Sequence, residues 1–220
     1  MKIADLRQDY LKASLDESDV APDPFIQFDK WFSEAIKSQL LEPNAMTLAT
    51  ATPDGKPSAR VVLLKGVEHH HEDIEAGGFI FYTNYMSQKG QEISRNPHIA
   101  LCFNWLDLQR QVRIEGVAHV LDGEISTEYF NSRPKSSRIG AIASPQSNVV
   151  PNREFLENRY AEWLRKYENR DAVPRPKQWG GYIVKPTRIE FWQGRSSRLH
   201  DRMCYTLQAD NSWKIERLAP

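Results

Sequence analysis

From residue 45 onward the chain is a succession of short runs rich in Thr, Val, Ile and aromatic residues, many joined to the next by a turn signal. Residues 45–52 are rich in Thr and small apolar side chains, Pro53-Asp54-Gly55-Lys56 is a turn signal, and residues 58–67 are β-branched. That pattern predicts a hairpin. Gly77-Gly78 leads into a strand at 79–83, and 98–105 and 111–121 read as two more. Three short strands at 179–184, 188–192 and 203–208 close the chain, with a last piece at 213–217 that can pair with the third. Strands that follow one another through turns favour antiparallel pairing. The fold class is therefore α+β with an antiparallel barrel or sandwich core, and periodicity alone does not choose between them.

Helices flank this core. Phe25, Phe28, Trp31, Phe32, Ala35, Ile36, Gln39 and Leu40 recur at three- and four-residue spacing, which makes one helical face apolar, and Pro43 stops it. Ser87 can cap a short helix that ends before Pro97. Helical signals return at 124–131 and at 152–167, where Phe155, Leu156, Tyr160, Trp163, Leu164 and Tyr167 form a stripe. Residues 1–24 are polar and end in Ala21-Pro22-Asp23-Pro24, which reads as a short helix and then an arm. Residues 25–220 form one domain.

Composition excludes several functions. Lys plus Arg number 29 and Asp plus Glu 29, so the formal net charge is zero and a nucleic-acid coat or membrane-surface protein is disfavoured. Cys102 and Cys204 make no CxxC and read as structural thiols in a reducing, cytoplasmic setting. The N-terminus lacks an apolar leader, and no run of about 18 apolar residues appears. There is no GxxxxGK[ST], GxGxxG, GxSxG or HExxH. The adjacent His69, His70 and His71 point different ways in a solvated loop, so no metal site is expected.

What is present is a set of short blocks that mix cations with hydroxyls, amides and aromatics. They are RVVLLK from Arg60, Tyr82-Thr83-Asn84 with Ser87-Gln88-Lys89, Gln109-Arg110-Gln111, YFNSRPKSS from Tyr129, Gln146-Ser147, and FWQGRSSRLHDR from Phe191. Such blocks suit phosphate monoesters, which carry about −1.5 to −2 charges and three acceptor oxygens. Arg offers forked donors and Lys a point charge. Without a glycine loop, side chains must do that work.

The order RVVLLK, FYTN…SQKG, QVRIEG, YFNSRP…S..GA, QS, WGGY, IEFWQG…RLHDR and W.I.RLAP resembles the pyridoxine 5′-phosphate oxidase family, over nearly the whole chain from Leu6 to Pro220. The resemblance implies an FMN-binding split β-barrel, an antiparallel Greek-key barrel with flanking helices, working as a homodimer with two FMN sites at its interface. It also implies FMN-dependent oxidation of pyridoxine or pyridoxamine 5′-phosphate by O2.

Roles follow residue by residue from the resemblance. Arg60 and Lys89 match the FMN phosphate positions, and Gln88 lies between them. The backbone of Arg60, Val61, Val62, Leu63, Leu64 and Lys65 lies along the flavin with Tyr82 and Thr83. Gln111, Gln146, Ser147, Trp192 and Arg202 match the other FMN contacts. Lys65, Tyr129, Arg133 and Ser137 match the grip on the substrate phosphate. Arg198 and His200 match the catalytic pair beside the pyridine ring, and Arg7 and Tyr10 an arm that closes over the site. Gln88 departs from the family's usual Arg and withdraws one ionic contact to the FMN phosphate. A split-barrel flavin enzyme on another substrate should lack the substrate-phosphate set, and a non-catalytic FMN or pyridoxal-phosphate binder would need no Arg198 and His200.

Overall fold

The structure is a computed structural model that describes residue 3 and residues 9–69, 77–170 and 172–220. Arg7, His70 and His71 lie outside the described residues, as does most of the short helix expected near the N-terminus. Among the described residues nine strands carry the fold: β1 (Ala45–Ala51), β2 (Pro57–Leu63), β3 (Gly66–Glu68), β4 (Gly78–Asn84), β5 (His98–Trp105), β6 (Arg110–Val120), β7 (Trp179–Gln193), β8 (Asp201–Leu207) and β9 (Trp213–Arg217). They form one sheet in the order β2-β1-β5-β6-β7-β4-β3, with β8 on β7 and β9 on β8, and every described pairing is antiparallel.

The first and last strands of that order, β2 and β3, are consecutive in the chain and separated only by Leu64-Lys65. The Lys65 N–H donates to Ile80 O of β4 at 2.8 Å. The sheet therefore curls until its two ends meet. The reading of 58–67 as a single strand is corrected to two: the same stretch leaves β1 and crosses to β4.

Alternation fills the barrel. On β5, Ile99, Leu101, Phe103 and Trp105 are buried, and on β6 Val112 and Ile114. Helix α1 (Pro24–Lys37) lays its apolar face on this core. Asp23 caps it by accepting from the Phe25 and Ile26 N–H groups, and Pro24 starts it without wasting a donor. Phe28 packs on Phe79 and Phe103, and Trp31 edge-on to Phe191. Each such side chain contributes about 1.5–3 kcal/mol by leaving water.

β7 is one strand of 15 residues, where the sequence suggests two. Its first half pairs β4, from Trp179 to Val184, and its second half pairs β8, from Arg188 to Gln193; β6 runs beside both. Pro186, which has no N–H to give, sits at the changeover. Arg188 pairs Glu115 and Pro186 pairs Gly116, so Thr187 has no partner and forms a bulge. A Cβ on Gly116 would collide with Lys185 O. The bulge shifts the phase of the strand: Tyr182 and Val184 enter the core before it, Ile189 and Phe191 after it.

Four more helices flank the sheet: α2 (Gln88–Arg95), α3 (Gly123–Ser132), α4 (Lys135–Ala143) and α5 (Arg153–Lys166). α4 is not legible in the sequence, because its run of Ser, Gly and Ala carries little apolar periodicity. Phe130, Ile139, Tyr167, Val173 and Trp179 make a second, smaller core under α3 and α4. Among the described residues no helix is long and apolar enough to cross a membrane.

Candidate active site

Strands β2 and β4, helices α3 and α4 and the start of β7 enclose a cavity of about 440 Å³. β2 ends the sheet order and, among the described residues, pairs only β1, which leaves its other edge unpaired there, and Val61, Val62 and Leu63 line the cavity. Lys65, Tyr82, Thr83, Lys89, Tyr129, Arg133 and Gln146 line it too. These residues come from separate segments of the sequence, and the fold brings them together.

The cations are the chemical key. Lys89 is buried, and among the described residues no carboxylate lies within ion-pair distance of Lys65, Lys89 or Arg133. Burial lowers the Lys89 pKa, the charge of Arg60 lowers it further, and Glu92 opposes both. Burial likewise lowers that of Arg133. The Arg133 Nη1 is buried with no hydrogen-bond partner among the described residues, which leaves a donor free for a water or a ligand. Arg133 ends α3 and precedes Pro134, which fixes its backbone in the extended region.

Beside Lys89 stands a polar network. Glu92 is buried on α2 and accepts from Thr50 Oγ1 at 2.5 Å, Ser58 Oγ at 2.6 Å, Gln88 Nε2 at 2.9 Å and Arg60 Nη2 at 3.4 Å. Burial would raise the Glu92 pKa, but the Ser58, Thr50 and Gln88 bonds and the Arg60 charge outweigh it and hold the carboxyl at about 2. Arg60 in turn donates to Thr50 Oγ1 and Ser58 Oγ. Its Nη atoms are thus committed beside the cavity, and Gln88 is committed to Glu92. Leu64 faces the core. Ser137 lies in the first half of α4, and Ser147 follows Gln146 at a positive φ of 70°.

A second group of expected site residues gathers elsewhere. Trp192 and His200 rings lie 4.7 Å apart, with Tyr10 edge-on to both. Gln111 pairs Trp192 across β6 and β7, and Arg202 pairs it across β7 and β8. Gly194 leaves room for Tyr10, whose ring would be 2.8 Å from an added Cβ. His200 Nδ1 accepts the Arg195 N–H at 3.1 Å, so the neutral ring carries its proton on Nε2. Ser197 and Arg198 both have positive φ, at 55° and 62°, a strained turn of the kind that functional sites keep. Arg202 holds Glu190 through Nε at 2.9 Å and Nη2 at 3.0 Å.

The two groups are not neighbours in one chain. Gly181, opposite Tyr82, and Trp192, opposite Gln111, stand eleven residues apart on β7. That is roughly 36 Å along an extended strand. Asn84, from the block expected to suit phosphate, lines the cavity, and so do Trp179, Gly140, Ala141 and Ser144, to which the sequence assigned no role. Sequence reasoning missed Glu92, whose signal was its spacing of four from Gln88 on one helical face.

Fold and site define a class: an antiparallel split barrel with a cavity lined by cations and aromatic rings. Comparison with known proteins narrows it. Residues 32–167 match the family described as pyridoxamine 5′-phosphate oxidase, and residues 179–220 the pyridoxine 5′-phosphate oxidase C-terminal dimerisation region. A pyridoxine/pyridoxamine 5′-phosphate oxidase of Nostoc sp. (strain PCC 7120) is 56% identical over 218 residues, 99% of this chain and 98% of the relative. One from Leptospira interrogans is 52% identical over 219 residues, 100% of this chain and 99% of the relative. The crystal structure of PhzG from Burkholderia lata, in complex with tetrahydrophenazine-1-carboxylic acid, superposes with a TM-score of 0.84 at 31% identity, covering 92% of this chain and 95% of that one. The chain belongs to the pyridoxine/pyridoxamine 5′-phosphate oxidase family.

Proposed function

We propose that this protein is an FMN-dependent oxidase that converts pyridoxine 5′-phosphate or pyridoxamine 5′-phosphate to pyridoxal 5′-phosphate. The observation that carries the reading is one cavity lined by a buried Lys89 on α2 and a half-buried Arg133 at the end of α3, neither with a carboxylate partner among the described residues. Two sites for phosphate suit a phosphorylated cofactor and a phosphorylated substrate.

The residues present fit FMN. Lys89 would hold its phosphate, the free edge of β2 at Val61–Leu63 would meet the polar rim of the flavin, and Thr83 and Gln146 would bond beside it. Arg60 supports from behind, through Thr50 and Ser58. When bound, FMN would supply the two-electron acceptor for oxidation at substrate C4′, with O2 as the final oxidant giving H2O2; the amine substrate would in addition take up water and release ammonia.

The protein positions the substrate. Arg133, Lys65 and Tyr129 grip its phosphate, with Ser137 nearby, and so aim the far end of the molecule. Arg198 and His200 serve the reacting end, where the His200 Nε2–H can donate to a ring oxygen. They reach the cavity from a second copy of the chain, since within one copy the two groups sit toward opposite ends of β7, roughly 36 Å apart along the strand. Gln111, Trp192 and Arg202 complete the cofactor site in the same way, in a homodimer built through the 179–220 region. Tyr10, with Arg7, belongs to the arm that closes over the reacting end.

The PhzG neighbour is in complex with a carboxylic acid, so this fold also holds ligands without a phosphate. What favours a phosphorylated one here is the cluster Lys65, Tyr129 and Arg133. The test is direct: record the visible spectrum of the purified protein, identify the released chromophore by mass, and measure peroxide release with pyridoxamine 5′-phosphate. FMN and peroxide are expected. FAD, no flavin after reconstitution, or no peroxide overturns the reading.

A further inference from the structure

The Arg133 guanidinium is held by something other than charge. Among the described residues it has no carboxylate partner, and its Nη1 has no hydrogen-bond partner at all. What it does have is a face to lie on. Its Cζ stands 4.7 Å from the centroid of the Trp179 ring and 5.7 Å from that of Phe130. Indole is the strongest of the aromatic partners for a cation, and the attraction grows when water is excluded.

Trp179 is itself buried and packed among other rings. Its ring is stacked on Tyr82 at 5.4 Å and 9°, and on Tyr129 at 6.2 Å and 10°. Phe130 meets it edge-on at 5.0 Å. Its backbone is tied as well: the N–H donates to Pro176 O at 3.0 Å, and the carbonyl accepts from Arg175. The next two residues are glycines for a steric reason. A Cβ on Gly181 would lie 2.8 Å from the Tyr82 ring, and one on Gly180 would overlap the Tyr85 side chain. Sequence, stack and cation thus form one chain of contacts that ends at an unpaired charge in the cavity.

We propose that Trp179 is a positioning residue: its fixed indole face aims the Arg133 guanidinium into the cavity and so sets the affinity for the phosphate of the substrate. A carboxylate could fix Arg133 equally well but would cancel the charge the phosphate needs. An aromatic face fixes the cation and leaves its charge uncompensated. The proposal rests on the reading of Arg133 as the substrate-phosphate residue.

The experiment is a double-mutant cycle on the FMN-loaded enzyme, with Trp179→Leu, Arg133→Ala and the pair, assayed on pyridoxine 5′-phosphate and on pyridoxine. Trp179→Leu should raise KM for the phosphorylated substrate by roughly 2- to 30-fold, the range of a cation–π contact from exposed to desolvated. The preference for phosphate over no phosphate should fall by the same factor. In the Arg133→Ala background the substitution should add little, because the contact it removes is already gone. Trp179→Phe keeps a ring and should recover most of the loss, which covers the case of a Leu variant that folds poorly. Calorimetric titration of each loaded protein with pyridoxal 5′-phosphate should give the same ratios without turnover. If Trp179→Leu costs as much with Arg133 absent as with it present, or weakens both substrates alike, Trp179 is only core and the proposal fails. If the wild-type enzyme shows no preference for phosphate, the reading of the whole site fails first.

Discussion

Glu92 offers the sharpest test of how the polar network beside the cavity is held. Glu92→Gln keeps the shape and removes the charge. The native carboxylate accepts from four groups, Thr50, Ser58, Gln88 and Arg60. A glutamine has one acceptor oxygen, so its amide N–H2 must face either Gln88 or the Thr50–Ser58–Arg60 side. Orphaned donors at a buried site cost about 1–3 kcal/mol each. Stability should therefore fall by about 1–3 kcal/mol at pH 7. The loss should also depend on pH in a defined direction. The Glu92 carboxyl drops from 4.5 to about 2 on folding. A depressed folded value means stabilisation that is complete above the unfolded pKa and disappears as pH falls through the folded one. The full gap corresponds to a ceiling of about 3.4 kcal/mol, of which about 1.4 is gone by pH 3.5. Solvent screening reduces both figures, to roughly half. Urea unfolding of wild type and variant, without flavin, at pH 7 and pH 3.5 measures the difference, and other carboxylates cancel in the comparison. The gap between the two proteins should narrow by about 0.7–1.4 kcal/mol at the lower pH. An unchanged gap would mean that the carboxylate charge is not what holds this network.

Other outcomes follow from the same geometry. Arg133→Ala should raise KM for pyridoxine 5′-phosphate and shrink the preference over pyridoxine, while His200→Ala should lower kcat and keep that preference; steady-state kinetics on both substrates decides. Gln88→Arg should tighten FMN binding, with a gain that fades as salt rises, in flavin-fluorescence titrations of the apoprotein. Gly181→Ala should cost about 1–3 kcal/mol of stability, because its Cβ would lie 2.5 Å from Leu121 and 2.8 Å from Tyr82; thermal melts read this directly. Light scattering of the FMN-loaded protein should give about twice the 25.4 kDa chain mass, and a fully active monomer would end the assignment of Arg198 and His200 to a neighbour's cavity.

The strands were legible because side chains alternate and turns punctuate them, and α1 because its apolar stripe and its Asp23-Pro24 start are both local signals. Three features were not. The division of 57–68 between two partners depends on which strand lies on each side, and no local pattern encodes that. The continuity of β7 through Pro186 depends on a missing neighbour that makes the absent N–H harmless. α4 is held by its contacts, Ile139 in the small core and the Arg159 guanidinium on Ala143 O at 2.9 Å, rather than by its own periodicity. At the site, the cations were legible as residue types. Their lack of counter-ions was not, since that is a property of the space around them. Trp179 was passed over for the same reason: an aromatic at the start of a strand looks like core until the guanidinium above it is seen.

The unpaired Thr187 has a bearing on how this chain can change. Trp179 and Trp192 stand thirteen residues apart on one strand, an odd number that would set them on opposite faces of a regular ribbon. The bulge takes the extra residue out of the alternation and keeps both on the outer face. Deleting Thr187 would leave them twelve apart on a regular strand, with Trp192 and Arg188 still outside and Phe191 still inside. A residue inserted between Arg188 and Ile189 would instead turn the rest of the strand over, sending Trp192 inward and Phe191 out to water. Thr187 is therefore a position where β7 can lose a residue without moving its functional side chains to the other face.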